Sequence, residues 1–186
     1  MHPRIIAELG INHDGSAEIA RTLIEAAARA GAWGIKFQYR NLTNTYADDA
    51  RQIGDEILQN EIVRNYLSPD EILDLSRLAI DLGVKPGISF FTPDDIADFG
   101  ENISTFAFFK VPSVEFTNSP LIKRLEGMGE MGLISTGAYD EETIQRGLKN
   151  TATKFSMAHS PKPSTASLNA HCANTAPQKL SLPTQR

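Results

Sequence analysis

Cysteine is almost missing from this chain: Cys172 is alone among 186 residues, so no internal disulfide can form and no thiol cluster can hold zinc. That fits a reducing, cytoplasmic setting. Long apolar runs are missing as well. Nothing approaches the roughly 20 residues that a membrane-spanning helix needs, and the opening Met-His-Pro-Arg leads into a run too short for a signal peptide. Neither a membrane span nor an export signal is expected. Basic clusters are also scarce. A formal net charge of −5 speaks against a nucleic-acid surface, because binding to phosphate backbones depends on grouped Lys and Arg.

Other scarcities are local. Residues 151–186 contain no Asp, Glu or Gly, but they hold four of the ten prolines and four basic residues, Lys154, Lys162, Lys179 and Arg186. They carry +4, which leaves −9 on residues 1–150. Such a segment has little apolar surface with which to offset the entropy of ordering. The expected organisation is a folded body over 1–150 followed by a low-complexity, disordered tail over 151–186.

What the body does have is alternation. Arg4-Ile-Ile-Ala-Glu-Leu-Gly10 reads as a strand, and Ser16 then caps a helix with an apolar face of Ile19, Ala20, Leu23, Ile24 and Ala27, which stops at Gly31. Trp33–Gln38 is a second strand, followed by a polar excursion with one helix around 50–65. Ser68-Pro-Asp-Glu71 has the order of a capping box and opens a helix to Gly83. Strands at Gly87–Phe91, Phe106–Lys110 and Gly132–Thr136 are each followed by a capped helix start, at Thr92, Ser119 and Asp140. Five apolar strands alternating with helices predict right-handed βαβ units and a parallel sheet, hence an α/β fold. Both an open doubly wound sheet and a (β/α)8 barrel share this pattern. The first turn, Gly10-Ile-Asn-His-Asp-Gly15, lacks the dinucleotide fingerprint.

In both architectures ligands bind at the carboxyl ends of the strands. The polar residues there are Glu8, Asn12 and His13, then Lys36 and Gln38, Thr92, then Lys110, Ser113 and Glu115, and finally Ser135 and Thr136. Lysines within apolar strands are costly unless each ammonium reaches water or an anion. With neighbouring hydroxyls they suit phosphate or carboxylate oxygens, and Glu8 and Glu115 could orient a hydroxyl or move a proton. A plainer reading stands beside this one. Lys36 and Lys110 could pair with Glu8 and Glu115 as salt bridges, Thr92 with Asp95 could be a helix cap, and His13 could be a structural turn residue. The phenylalanines at 90, 91, 106, 108 and 109 read as core.

The segments Ile5-Ile-Ala-Glu-Leu-Gly-Ile-Asn-His-Asp-Gly-Ser16, Gly34-Ile-Lys-Phe-Gln38, Lys110-Val-Pro-Ser-Val-Glu-Phe-Thr-Asn118 and Leu133-Ile-Ser-Thr-Gly137 resemble the N-terminal half of the sialic acid synthase family. That family comprises N-acetylneuraminate, legionaminate and pseudaminate synthases and related spore-coat polysaccharide proteins. The resemblance implies a TIM barrel, of which residues 4–150 supply the first five units. It implies condensation of phosphoenolpyruvate with an N-acetylhexosamine such as N-acetylmannosamine, release of phosphate, a divalent metal (Mn or Mg), and a homodimer. It further implies that Lys36, Lys110, Ser113, Ser135 and Thr92 hold phosphoenolpyruvate. Glu8 and Gln38 would face the sugar, and Glu115 would handle a proton or water at the enol carbon.

Two features depart from the family. Pro112 stands in the turn where the family commonly has a Gly-Ser-Gly-Glu-like sequence, and a whole barrel takes about 250 residues. The family's metal-binding histidines lie on later strands, so no metal ligand is assigned; His171-Cys-Ala-Asn174 only weakly resembles the sixth-strand pattern. A truncated, inactive synthase is therefore the expectation. The alternatives are a non-catalytic half-barrel that binds or assembles, and another phosphoenolpyruvate-dependent synthase of 3-deoxy-keto sugar acids.

Overall fold

Side chains along each of the five parallel strands alternate between a helix-covered face and a concave face, and that alternation organises the tertiary structure. A computed structural model describes residues 3–41, 55–137, 139–148, 155–158 and 171–173. Five parallel strands follow in order: β1 (Arg4–Gly10), β2 (Gly34–Gln38), β3 (Lys85–Ser89), β4 (Phe108–Val111) and β5 (Met131–Ser135). Between them lie the helices α1 (Ala17–Arg29), α2 (Asp55–Arg64), α3 (Pro69–Asp81) and α4 (Ser119–Leu125), and α5 (Glu141–Leu148) follows β5. A 3-10 helix over Asp94–Thr105 takes the position after β3 and breaks at Gly100.

Two short strands are described within residues 151–186. Phe155–Ala158 forms β6, parallel to β5, and His171–Ala173 forms β7, antiparallel to β1. Both lie within residues 151–186, where composition predicts a disordered tail; backbone groups on the open edges of β5 and β1 are satisfied by pairing whatever the side chains. Asn174 lies outside the described residues.

The sheet order is β6-β5-β4-β3-β2-β1-β7. Strands β1 to β6 thus succeed one another without the reversal that a doubly wound sheet requires, and β6 and β7 approach each other, so the sheet curls as a half-barrel does. Strand limits shift by a few residues from the sequence reading: β3 starts at Lys85 and ends at Ser89, before Phe90 and Phe91.

Two layers of apolar packing follow from the pleat. Toward the helices point Ile35, Phe37, Ile88, Phe109 and Ile134, all buried. Beside them Phe90, Phe99, Phe106 and Tyr39 pack edge-on against one another and, through Phe106, against Phe109. Helix α1 presents Ala20, Ile24 and Ala27 to this layer. Ile19, which the periodicity put on the same face, is 44% exposed, because it precedes Ala20 by one residue and so lies about 100° around the helix axis. Helix α3 carries the expected capping box: the Ser68 amide donates to Glu71 Oε2 at 2.8 Å and the Glu71 amide donates to Ser68 Oγ at 3.3 Å.

On the concave face a smaller layer forms from Ile6, Phe108 and Leu133. Phe108 lies across the neighbouring strands where Gly34 and Gly87 have no side chain, and a Cβ on Gly87 would come within 2.2 Å of its ring. All five phenylalanines read as core are buried, but Phe108 alone of them belongs to the concave layer.

Candidate functional site

Above that apolar floor, one rung closer to the carboxyl ends of the strands, the concave face turns polar. Strand register sets Glu8 of β1 beside Lys36 of β2, Lys36 beside Gly87 of β3, and Ser89 of β3 beside Lys110 of β4. Alternation puts Ser135 of β5 on the same face, two residues beyond Leu133. Directly after Glu8 the register of β1 slips, and Gly10 adopts φ +49°. A bulge there lets the next apolar residue, Leu9, stay in the helix-side core while Glu8 keeps to the concave face.

The two lysines differ sharply. Lys36 is buried and its Nζ meets Glu8 Oε1 at 2.7 Å, donates to Ser89 Oγ at 2.9 Å and reaches the Phe37 carbonyl at 3.4 Å. These contacts fix its position. Lys110 is half-buried, and among the described residues its Nζ donates no hydrogen bond and makes no ion pair. Burial, with the Lys36 charge nearby, pushes its pKa down to about 8, against a smaller opposing pull from Glu8.

Ser135 is 7% exposed, and its hydroxyl has no hydrogen-bond partner among the described residues. A buried hydroxyl without a partner costs free energy unless something completes it.

The remaining expected site residues sit on the connections. Glu115 lies in a short 3-10 turn over Ser113–Glu115 after β4, where Asn118 Nδ2 donates to its Oε2 at 2.8 Å. Among the described residues it forms no ion pair with either lysine, so the salt-bridge reading holds for Lys36 with Glu8 and not for Lys110 with Glu115. Ser113 is half-buried in the same turn, and its carbonyl accepts from the Phe116 amide. Thr92 forms a reciprocal cap: its amide donates to Asp95 Oδ2 and its hydroxyl accepts from the Asp95 amide, both at 3.3 Å. Asp95 also accepts from the Asn41 amide, which ties the exit of β2 to that of β3. Gln38 is exposed at the end of β2 and lines a cavity of ≈ 30 Å³ with Ile11, Arg40, Asn65 and Tyr66, room for about one water.

Two contributors escaped the sequence reading. Ser89 was assigned to strand interior, although it falls in step with Lys36 and Lys110 once the period of two is carried across neighbouring strands. Asn118 was seen only within a motif. It caps α4 through Oδ1, which accepts from the Leu121 amide at 3.1 Å, while its amide nitrogen holds Glu115.

His13 has a structural place in the turn after β1. It is 2% exposed, and its Nδ1 accepts from the Gly15 amide at 3.2 Å. Burial holds its pKa below the ordinary 6.5, partly opposed by the Gly10 carbonyl, Asp14 and Glu71. Because the folded value lies below the unfolded one, the unfolded chain binds more protons in that window. Stability contributed by neutral His13 is therefore complete above 6.5 and falls as the pH drops through the folded value. Denaturant midpoints measured between about pH 5 and 8 should fall with acidification in the wild type and fall less in His13→Gln. Parallel curves would remove His13 from that role.

No three His, Cys, Asp or Glu side chains converge among the described residues, and Glu8 is already engaged by Lys36. A resident metal does not fit the donors among the described residues. No helix among the described residues is long and apolar enough to cross a membrane.

The NeuB family model matches residues 23–180. The chain belongs to the NeuB family. It is 31% identical over 150 residues to the N,N'-diacetyllegionaminic acid synthase of Campylobacter jejuni, covering 77% of this chain and 45% of that protein. It is 28% identical over 165 residues to the human N-acetylneuraminate-9-phosphate synthase, covering 76% and 41%. The chain thus spans less than half the length of these curated relatives. Among solved structures, the half-barrel resembles the N-acetylneuraminic acid synthetase of Leptospira borgpetersenii (TM-score 0.70, 22% identity, 83% of this chain and 52% of that one). It also resembles the spore coat polysaccharide protein SpsE of Bacillus subtilis (TM-score 0.67, 24% identity, 89% and 46%). Sequence relatives that are sialic and legionaminic acid synthases place this NeuB member in a nonulosonate synthase family.

Proposed function

We propose that this NeuB half-barrel carries the phosphoenolpyruvate-binding part of a synthase that condenses phosphoenolpyruvate with an N-acetylhexosamine such as N-acetylmannosamine, releasing phosphate. The observation that carries the reading is the concave row of Lys36, Ser89, Lys110 and Ser135: two ammonium groups and two hydroxyls on adjacent strands above a dry floor. Phosphoenolpyruvate is a compact polyanion, and fixed cations with hydroxyl donors bind phosphate and carboxylate oxygens without reorganising. Lys36 is held in place by Glu8, while Lys110, engaged by no side chain among the described residues, is left to meet the anion. Ser135 gains the partner that it lacks among the described residues.

In this proposal Glu8 and Gln38 face the sugar, and Glu115, oriented by Asn118, serves the enol carbon as a proton or water handler. Thr92 and Ser113 border the anion. The 186-residue chain by itself is expected to bind phosphoenolpyruvate without turning it over.

Calorimetric titration of phosphoenolpyruvate into the purified chain tests this, with Lys110→Ala as the comparison and circular dichroism showing that both are folded. Binding in the wild type that is lost in Lys110→Ala is the expected result. A folded wild type with no heat of binding would overturn the anion assignment.

A further inference from the structure

The proposed synthase reaction needs two cations beside an anion, yet the structure treats its two lysines differently. Lys36 uses its hydrogens on Glu8, Ser89 and the Phe37 carbonyl. Lys110 stands one strand beyond Ser89, half-buried, beside the Phe108 and Leu133 floor, and donates to nothing among the described residues. A buried ammonium without a partner gives up its proton readily, and a second fixed cation nearby drives the same loss.

We propose that Lys110 is an amine nucleophile that captures small 2-oxo acids as an imine on the concave face of the half-barrel. The neutral Nζ lone pair attacks the ketone carbon, and an amine proton passes to the ketone oxygen, giving a carbinolamine. That intermediate expels its hydroxyl with a second proton as water, and a C=N bond replaces C=O. One water leaves for each imine formed, and no oxidant or reductant takes part.

The favoured class is 2-oxo acids rather than neutral aldehydes. Once the nitrogen is a protonated iminium, the adjacent carboxylate of the same ligand neutralises it inside a half-buried site. The Ser135 hydroxyl, buried and without a partner among the described residues, offers that carboxylate a donor. Small size follows from the floor of Ile6, Phe108 and Leu133, which closes the face one rung below. The groups governing the titration of Lys110 are Lys36, which lowers its pKa, and Glu8, which raises it; burial is the largest influence, and together they bring the value to about 8.

This inference rests on the lysine geometry and not on phosphoenolpyruvate binding, so the two can fail separately. The probe is pyruvate with sodium cyanoborohydride, added to the purified full chain at neutral pH and read by intact mass and peptide mapping. A reduced carboxyethyl adduct is expected on Lys110 at a rate about ten-fold or more above any other lysine, given the larger share of free amine. Its rate should climb through pH 8, and the site should go unlabelled in Lys110→Arg. Urea-unfolded wild type should lose the selectivity, which keeps the test independent of whether a variant folds.

Labelling spread evenly over the lysines of the folded chain, or confined to Lys36, would overturn the proposal. Phosphoenolpyruvate added as a competitor separates the readings: protection of Lys110 places both ligands on one site. Selective labelling without protection leaves the nucleophile standing and removes the anion site.

Discussion

Gly87→Val is expected to prevent the half-barrel from folding, with loss of the cooperative thermal transition. A Cβ at this position would lie 2.2 Å from one Phe108 ring carbon and 2.3 Å from a second, and Phe108 is completely buried. The ring cannot retreat sideways, since Gly34 on the next strand already gives it only a narrow berth: a Cβ there would sit 2.9 Å from the same ring. Overpacking ordinarily costs about 1–3 kcal/mol, but here the collision is with an immobile ring in a layer of few residues. Phe108→Leu should restore part of the transition in the double variant while lowering stability alone. Equal melting of Gly87→Val and wild type would show that the concave layer is not packed as described.

The second large effect is expected at Lys36. Lys36→Met leaves Glu8 facing apolar surface without its cation, and removes the donor to Ser89. Breaking one side of a buried pair costs about 3–5 kcal/mol, because the surviving charge remains desolvated. Glu8 keeps 22% of its side chain exposed, so the lower end of that range applies. The companion Glu8→Gln/Lys36→Met variant should recover much of the loss, since no unpaired charge then remains. Urea unfolding of the two variants checks this, and an additive double variant would refute the coupling. Both variants should also lose phosphoenolpyruvate binding, and Lys110 should titrate higher, nearer the ordinary 10.5, once its neighbouring cation is gone.

Much of this site was legible in the sequence. Lys36 and Lys110 stand in apolar strands where a charge needs a reason, and Glu8, Ser135 and Glu115 follow apolar runs at the end where α/β folds bind ligands. Ser89 was not legible, because a serine inside a strand carries no signal until the neighbouring strands supply the row to which it belongs. The division of labour between the lysines was equally hidden. Both occupy the same kind of local sequence, and only the stagger of β1 against β2 delivers a carboxylate to one of them. Thr92 shows the opposite case: its proximity to Asp95 in sequence already offered a cap, and the structure uses it as one.

By itself the sequence determined the alternation of strands and helices, the capping box at Ser68, the apolar identity of the core, and the motifs that mark the NeuB family, since all of these are encoded in residues close along the chain. The tertiary structure decided what depends on residues distant along the chain. It alone pairs Lys36 with Glu8 and leaves Lys110 without a partner among the described residues, and it alone clears a path for Phe108 over two glycines. It also brings strands β6 and β7 out of a polar segment to the two edges of the sheet. Backbone hydrogen bonding and register answer to the edge that a strand meets rather than to its own composition, and no local pattern in the chain records which edge that will be.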